Sequence, residues 1–137
     1  MSKAEPTIQK FMTTQPQSVE STATLKETLD KMSKFKVRHL PVMKSGKVVG
    51  IVSDRDIKLV MDFDEIDTAE VPVADICTSK PYVVSPDAQL HEVAGDMAEK
   101  RLGSAIVVQN GKLVGIFTTV DACRALAEVL QTRFHGK

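Results

Sequence analysis

The sequence repeats itself after 65 residues. The stretch GKVVGIVSDRD, residues 46–56, returns as GKLVGIFTTVD, residues 111–121. At this offset residues 12–56 and 77–121 align without a gap and share 14 identities in 45 positions, where average residue usage predicts roughly three. The chain is therefore an internal duplication, and whatever one copy folds into, the other must fold into as well.

Each copy predicts the same first half. A short strand at 18–19 or 83–84 is followed by Thr22 or Asp87, which align and are both residue types that cap helices well. Apolar residues then recur at helical spacing and give the next segment one buried face: Leu25, Leu29 and Met32 in copy one, and Leu90, Val93, Ala94 and Met97 in copy two. We expect a strand and then a helix.

The second half of each copy predicts a hairpin and a last helix. Two apolar strands flank the turns KSGK and QNGK, and Asn110–Gly111 is a strong hairpin signal because both residues accept positive φ. The closing helix should begin near Asp54 or Thr119. Each copy therefore predicts the order β-α-β-β-α, and the chain belongs to the mixed α/β (α+β) class.

One copy buries too little surface to be stable alone, so we expect two units packed sheet to sheet about a pseudo-twofold axis. The predicted parts are motif 1 at 8–61, a solvated connector at 62–72 in which five of eleven residues are acidic, and motif 2 at 73–128. Such packing creates two related clefts, one near Asp56 and one near Asp121, which suit small molecules.

Composition narrows the function class. Hydrophobic residues make up 42% of the 137 residues, enough for a core, whereas 18 basic and 18 acidic residues cancel and argue against nucleic-acid binding. No apolar run approaches the roughly 20 residues that cross a bilayer, and the N-terminus lacks the apolar stretch of a secretion signal. We expect a cytoplasmic protein without membrane association.

No catalytic chemistry stands out in the sequence. Cys77 and Cys123 show neither a disulfide framework nor a metal-type spacing, and the three histidines are scattered. No persuasive nucleophile, metal site or cofactor-binding motif is present. We therefore predict that the chain is not an enzyme and needs no cofactor.

The motif hydroxyl-x-x-Asp occurs once in each copy, as Ser53 to Asp56 and as Thr118 to Asp121. It has two interpretations. As a capping box, the hydroxyl and the acid satisfy backbone N–H groups of the helix start, a structural role that contributes about 1 kcal/mol. Alternatively, a carboxylate held rigidly at a helix start accepts hydrogen bonds from a vicinal diol such as a ribose, and the helix N-terminus favours a phosphate. The sequence leaves both open.

Three motifs together resemble the CBS domain, the cystathionine β-synthase motif, in tandem. They are MTTQP at 12–16, RHLPV at 38–42, and the pattern G-x-x-x-G-I-x-[ST]-x-x-D in both copies. The resemblance covers nearly the whole chain. It implies a pair of β-α-β-β-α units, often dimeric, that binds adenine nucleotides or adenosyl ligands and regulates a partner.

The resemblance also implies residue roles. Asp56 and Asp121 would hold the ribose, with Ser53 and Thr118 as the neighbouring hydroxyls. The phosphate-reaching positions carry Arg38 and His39, and Arg55 is placed to act likewise. Val19 and Val84 lie on strands expected to flank the adenine.

The two copies differ at the positions expected to contact phosphate. Copy two has Gly103, Ser104 and Val120 where copy one has Arg38, His39 and Arg55. The first set suits a phosphate, because arginine offers fork-like donors, and the second suits a neutral nucleoside or no ligand. A plainer interpretation treats the two arginines as ordinary solvated charges.

Two functions follow from these expectations. The first is a stand-alone regulatory module that binds AMP, ADP or ATP in the clefts and signals occupancy within a homodimer or to a partner enzyme or transporter. The second is a dimerising adaptor whose clefts have lost their ligands.

Overall fold

The computed structural model describes residues 5–63 and 65–136 of the chain. In the first half the elements are α1 (Ile8–Phe11), β1 (Thr13–Thr14), β2 (Val19–Glu20), α2 (Leu25–Phe35), β3 (His39–Lys44), β4 (Lys47–Ser53) and α3 (Asp54–Phe63). In the second half they are a 3-10 turn (Val73–Asp75), β5 (Val83–Val84), α4 (Leu90–Lys100), β6 (Ser104–Gln109), β7 (Lys112–Thr118), α5 (Thr119–Leu130) and a π-helical turn (Gln131–His135). The order β-α-β-β-α occurs twice, so the predicted fold class is confirmed.

One compact unit is Pro16–Pro81, and it contains a three-stranded sheet in the order β2-β3-β4. β2 runs parallel to β3, and β3 and β4 form an antiparallel hairpin. Apolar side chains of the sheet and its two helices share one core with Val73. The predicted buried face of α2 is confirmed, since Leu25 and Met32 are buried and Leu29 packs against them.

The other unit is formed by Met1–Gln15 together with Tyr82–Lys137, of which residues 5–15 and 82–136 are described. Its sheet has four strands in the order β1-β7-β6-β5. Its core combines Ile8 of α1 with buried residues of α4, β6 and β7. The N-terminal segment of the first repeat thus completes the unit built from the second.

The exchange of segments between repeats is reciprocal. β1 pairs with β7, with Thr13 opposite Ile116, and at the equivalent positions 65 residues away Thr78 forms an isolated bridge with Ile51. Each repeat therefore places its leading threonine on the last strand of the other repeat. This differs from the expectation that each repeat folds as one contiguous unit, because the unit Pro16–Pro81 includes the start of the second repeat and the other unit includes the start of the first.

Two glycines make this pairing possible. A Cβ on Gly50 would lie 2.6 Å from the carbonyl oxygen of Thr78 and 2.7 Å from Sγ of Cys77. A Cβ on Gly115 would lie 2.5 Å from Sδ of Met12. Because Met12 and Cys77 occupy equivalent positions, each repeat covers a glycine of the other's last strand with one sulfur-containing side chain.

The hairpin turns are confirmed, and the helix caps are not. Asn110 and Gly111 have φ of 53° and 76°, as the hairpin prediction requires. Thr22 and Asp87, however, lie in turns that precede the helices, since Ala23 N donates to the carbonyl of Glu20 and Ala88 N to that of Ser85. The helices begin two residues later, and the N-caps are Thr24, which forms a capping box with Glu27, and Gln89.

Part of the predicted acidic connector contacts α2 and the core of its unit. The carbonyl of Val71 accepts a hydrogen bond from Leu25 N at 2.9 Å, and that of Thr68 accepts one from Lys26 N at 3.0 Å. Ile66 and Val71 pack against the core. The segment's backbone therefore satisfies N–H groups at the start of α2, which a reading of its charges alone did not reveal.

No helix in the described part of the chain is both long and apolar enough to traverse a bilayer.

Candidate functional site

Both hydroxyl-x-x-Asp motifs lie where a buried strand passes into a helix, and both form the capping box. In the first, Asp56 N donates to Ser53 Oγ at 3.1 Å, and Ser53 N donates to Asp56 Oδ2 at 3.2 Å. In the second, Asp121 N donates to Thr118 Oγ1 at 3.3 Å, and Thr118 N donates to Asp121 Oδ2 at 3.0 Å. The structural interpretation is thus correct for both motifs, and a ligand role depends on what each carboxylate has left to offer.

The carboxylate of Asp121 has three further donors. The hydroxyl of Thr118 reaches Oδ2 at 3.2 Å, and that of Thr13 reaches it at 3.5 Å. Nη1 of Arg124 donates to Oδ1 at 3.0 Å. The residue is only 4% exposed. Its two oxygens are already enclosed by groups of the protein.

The carboxylate of Asp56 is far less occupied. Oδ2 accepts the capping bond from Ser53, and within residues 5–63 and 65–136 no group donates to Oδ1. The residue is half-buried, so this oxygen is held in place by the helix start while remaining open to a partner. An ionised carboxylate has about four acceptor sites, and one of these is used.

The predicted basic residues lie on the two chain segments that flank the start of α3. His39 lies opposite Ser53 in the β3–β4 pair, and the carbonyl of Arg38 accepts from Asp54 N at 3.0 Å. Burial lowers the pKa of His39 and the charge of Arg38 lowers it further, while the nearby carboxylates of Asp54 and Asp56 oppose the shift. The imidazole is therefore close to both carboxylates.

Arg38 and Arg55 are exposed. Arg55 follows Asp54 in the first turn of α3 and so extends from the same helix start as Asp56. The structure thus places His39 and Ser53 near Asp56, with Arg38 next to His39 in the chain, and the side chains of both arginines are exposed.

The equivalent corner of copy two has the same backbone and different side chains. The carbonyl of Gly103 accepts from Thr119 N at 3.1 Å, just as the carbonyl of Arg38 accepts from Asp54 N. Ser104 lies opposite Thr118, as His39 lies opposite Ser53. Val120, at the position of Arg55, is 63% exposed. The cation near Asp121 is instead Arg124, from the next turn of the helix.

Val19 and Val84 occupy the predicted strands, but Val19 is a core residue. It is 6% exposed, lies opposite Val42 and packs in the core of its unit. Val84 is half-buried and lies opposite Val107. That these two strands flank an adenine stays a prediction. Val42 is three residues along β3 from His39, a separation of roughly 10 Å.

Two residues that matter for Asp121 were missed. Arg124 stands three positions after the aspartate in a helix, a spacing at which side chains of opposite charge meet, so the sequence carried a signal for it. Thr13 belongs to the motif MTTQP at 12–16, which does not indicate what its side chain contacts. Its contact with Asp121 spans 108 residues, and no local pattern predicts such a partner.

An open groove of about 550 Å³ lies in the unit Pro16–Pro81, between β2 and the first two turns of α2. Lys31 at its edge donates to the carbonyl of Ser18. Neither Asp56 nor His39 lines this groove, so it is separate from the cluster around the aspartate.

The family model for the CBS domain matches residues 8–62 and 73–128. The chain belongs to the CBS domain family. The predicted resemblance is therefore confirmed, and it extends over most of the chain.

Similar proteins include both short and long chains. The CBS domain-containing protein YhcV of Bacillus subtilis is 27% identical over 114 residues, which are 83% of this chain and 81% of YhcV. Other relatives are much longer. Zinc metalloprotease MJ0392 of Methanocaldococcus jannaschii is 34% identical over 85% of this chain, but the matched region is 31% of that protein.

Solved structures confirm the CBS-pair fold. A putative acetoin utilization protein (AcuB) from Vibrio cholerae superposes with a TM-score of 0.85 at 27% identity, covering 98% of this chain and 99% of the other. CBSX2, a CBS-pair protein from Arabidopsis thaliana, was solved in complex with AMP. That complex matches with a TM-score of 0.78 at 31% identity over 90% of this chain and 98% of CBSX2.

Proposed function

We propose that this chain is a regulatory module that binds an adenosine nucleotide at Asp56 and signals occupancy to a partner protein or within a homodimer. AMP, ADP and ATP are the candidate ligands, and the nucleotide acts as a regulator, not as a cofactor. The single observation that carries the proposal is the open carboxylate oxygen of Asp56 beside Arg38, His39 and Arg55. The AMP complex of CBSX2, 31% identical, supports the choice of ligand class.

The groups at this site contact different parts of the nucleotide. The carboxylate accepts hydrogen bonds from the ribose diol, which as charge-assisted bonds contribute roughly 1.5–3 kcal/mol each. The exposed guanidinium groups of Arg38 and Arg55 suit a phosphate, which they contact through paired N–H donors. The N–H groups of Asp54 and Asp56 already donate to Arg38 and Ser53, so the start of α3 favours an anion through the helix dipole. One corner of the unit therefore offers acceptors for a sugar and donors for a phosphate.

The proposal gives the chain no catalytic activity of its own. The relatives that are named as enzymes match this chain over a part of their length, such as 31% of the metalloprotease MJ0392. This fits a module that accompanies catalytic domains in other proteins. We further propose a cytoplasmic location.

Binding is tested by thermal shift and calorimetry with AMP, ADP, ATP, S-adenosylmethionine and cyclic dinucleotides. A ligand at 100 times its Kd stabilises the folded state by about 2.7 kcal/mol, which raises Tm by several degrees in a protein of this size. Asp56→Asn should abolish the shift. Asp30→Asn, an exposed aspartate of α2, is the matched control and should retain it.

A second candidate is the ligand-free dimerising adaptor. The observation that favours it is the apolar surface of α5 and the turn after it, where Val120, Leu126, Val129, Leu130 and Phe134 are exposed. Absence of a shift with every nucleotide, together with a dimer in sedimentation experiments, would favour this function over the sensor.

A further inference from the structure

The two repeats differ at the third position after the aspartate. Arg124 follows Asp121, and the equivalent residue after Asp56, 65 positions earlier, is Leu59. Both lie one helical turn beyond the capping aspartate, a spacing that brings the two side chains together on the helix surface. In α5 this contact exists as an ion pair, with Nη1 of Arg124 3.0 Å from Oδ1 of Asp121. In α3 Leu59 is 54% exposed and has no charge to offer.

The hydrogen-bond inventory of the two carboxylates shows what this difference does. Asp121 accepts from four donors, namely the N–H and hydroxyl of Thr118, the hydroxyl of Thr13 and the guanidinium of Arg124. An ionised carboxylate has about four acceptor sites. Asp56 accepts from one donor in the described part of the chain. Arg124 is the donor that takes the oxygen left open at Asp56.

We propose that Arg124 determines which repeat binds a ribose, because its guanidinium occupies Oδ1 of Asp121 and leaves Asp56 as the ribose-binding aspartate. This inference rests on the proposed function and narrows it from two predicted sites to one. A diol at Asp121 has to displace a charge-assisted bond and enter a site that is 4% exposed. At Asp56 it meets an oxygen to which no group of residues 5–63 and 65–136 donates.

The swap of the two residues tests the proposal. Leu59→Arg places a guanidinium one turn after Asp56 and should raise the Kd for AMP about tenfold or more, the loss of one charge-assisted hydrogen bond. Met61→Arg, which adds the same charge at another exposed residue of α3, is the matched control and should leave the Kd unchanged.

The reverse change should open the second aspartate. Arg124→Leu frees Oδ1 of Asp121, while Gly103, Ser104 and Val120 offer no cation for a phosphate, so adenosine is the probe. In calorimetry, the double variant Asp56→Asn/Arg124→Leu should bind one equivalent of adenosine, and Asp56→Asn alone should bind none. Arg133→Leu in place of Arg124→Leu is the control for losing an exposed arginine, and with Asp56→Asn it should bind none.

The outcomes separate the inference from the function on which it rests. Two equivalents of AMP on the unaltered chain, binding that survives Asp56→Asn, or no adenosine bound by the double variant would each overturn the role of Arg124 while nucleotide binding itself stands. If the unaltered chain and every variant bind neither AMP nor adenosine, the proposed function is wrong, and the role of Arg124 is wrong with it.

Discussion

The capping aspartates of the two repeats share a backbone and differ in their surroundings. Asp56 and Asp121 each close a capping box at the start of a helix, with similar distances. Asp121 is then enclosed by donors from its own helix, from Thr118 and from β1, whereas Asp56 keeps an open oxygen beside basic residues. A duplicated motif thus preserves what the fold needs, and the residues one turn away decide what remains for a ligand.

The largest difference in stability between the units should appear when Gly50 of β4 and Gly115 of β7 are each replaced by alanine. In Gly50→Ala the new methyl group meets a backbone carbonyl, that of Thr78, which cannot rotate away, so we expect a loss of about 2–3 kcal/mol in unfolding free energy. In Gly115→Ala it meets the flexible side chain of Met12, and the loss should be about 1 kcal/mol or less. Urea unfolding of both variants measures this. Equal losses would show that the segment around Thr78 yields as readily as Met12.

The second largest difference should be in how much each capping aspartate contributes to the free energy of unfolding. Asp121→Asn removes the charge that pairs with Arg124 and leaves an amide among buried donors, which we expect to cost about 2 kcal/mol of unfolding free energy. Asp56→Asn disturbs one capping bond and should cost under about 1 kcal/mol. Chemical denaturation of the two variants gives both values. A cost for Asp56→Asn that equals or exceeds that of Asp121→Asn would contradict the inventory of donors.

A stability change between pH 8 and pH 5 should come from the unit Pro16–Pro81, which contains His39. Burial lowers the pKa of His39 from its usual 6.5, so the folded state favours the neutral ring and the unfolded state binds the proton first. Stability is then fully present above about 6.5 and falls as the pH drops through the folded pKa. The Tm of the unaltered chain between pH 8 and pH 5 should therefore decline more than that of His39→Gln.

His135→Gln, in the exposed tail, serves as the control for that series and should keep the full decline. Copy two has Ser104 at the position of His39, so no matching response is expected from it. A decline that His39→Gln leaves unchanged would show that other groups are responsible.

The smallest expected effect is on the titration of Tyr82, which occupies the position of Gln17 in copy one. Burial, a 2.8 Å hydrogen bond to Asp96 and the charges of Asp96 and Glu92 raise its pKa from 10 to about 12. Its contribution to stability is present below pH 10 and is lost as the pH rises through 12. Because it is the only tyrosine and the chain has no tryptophan, absorbance at the phenolate band follows it alone. Asp96→Asn should move the midpoint back toward 10, and a midpoint near 10 in the unaltered chain would refute the contact.

The local parts of the fold could be predicted, because they depend on neighbouring residues. The hairpin at Asn110–Gly111, the buried face of α2 and the starts of α3 and α5 follow from turn chemistry and spacing. The sequence predicts the caps two residues too early, because Thr22 and Asp87 are equally suited to turns. The packing of residues 66–72 on α2 was missed, since its charges conceal the apolar contacts of Ile66 and Val71.

The site could be predicted in its residue types and only partly in its geometry. The spacing of Ser53 and Asp56 indicates a capping box and a held carboxylate, and pairing in β3 and β4 brings His39 beside them. The enclosure of Asp121 depends on Thr13, which reaches it because a segment of one repeat joins the sheet of the other. Contacts of that range come from the tertiary fold and have no local signature.

The reciprocal placement of Thr13 and Thr78 also bears on the origin of the chain. A protein consisting of one repeat could complete its last strand only by lending its leading segment to a second molecule and receiving one in return. The duplication therefore fits an ancestor that worked as a pair of short chains, each completing the sheet of the other. Gene fusion would have joined the two, and each repeat could then diverge at the residue one helical turn after its aspartate.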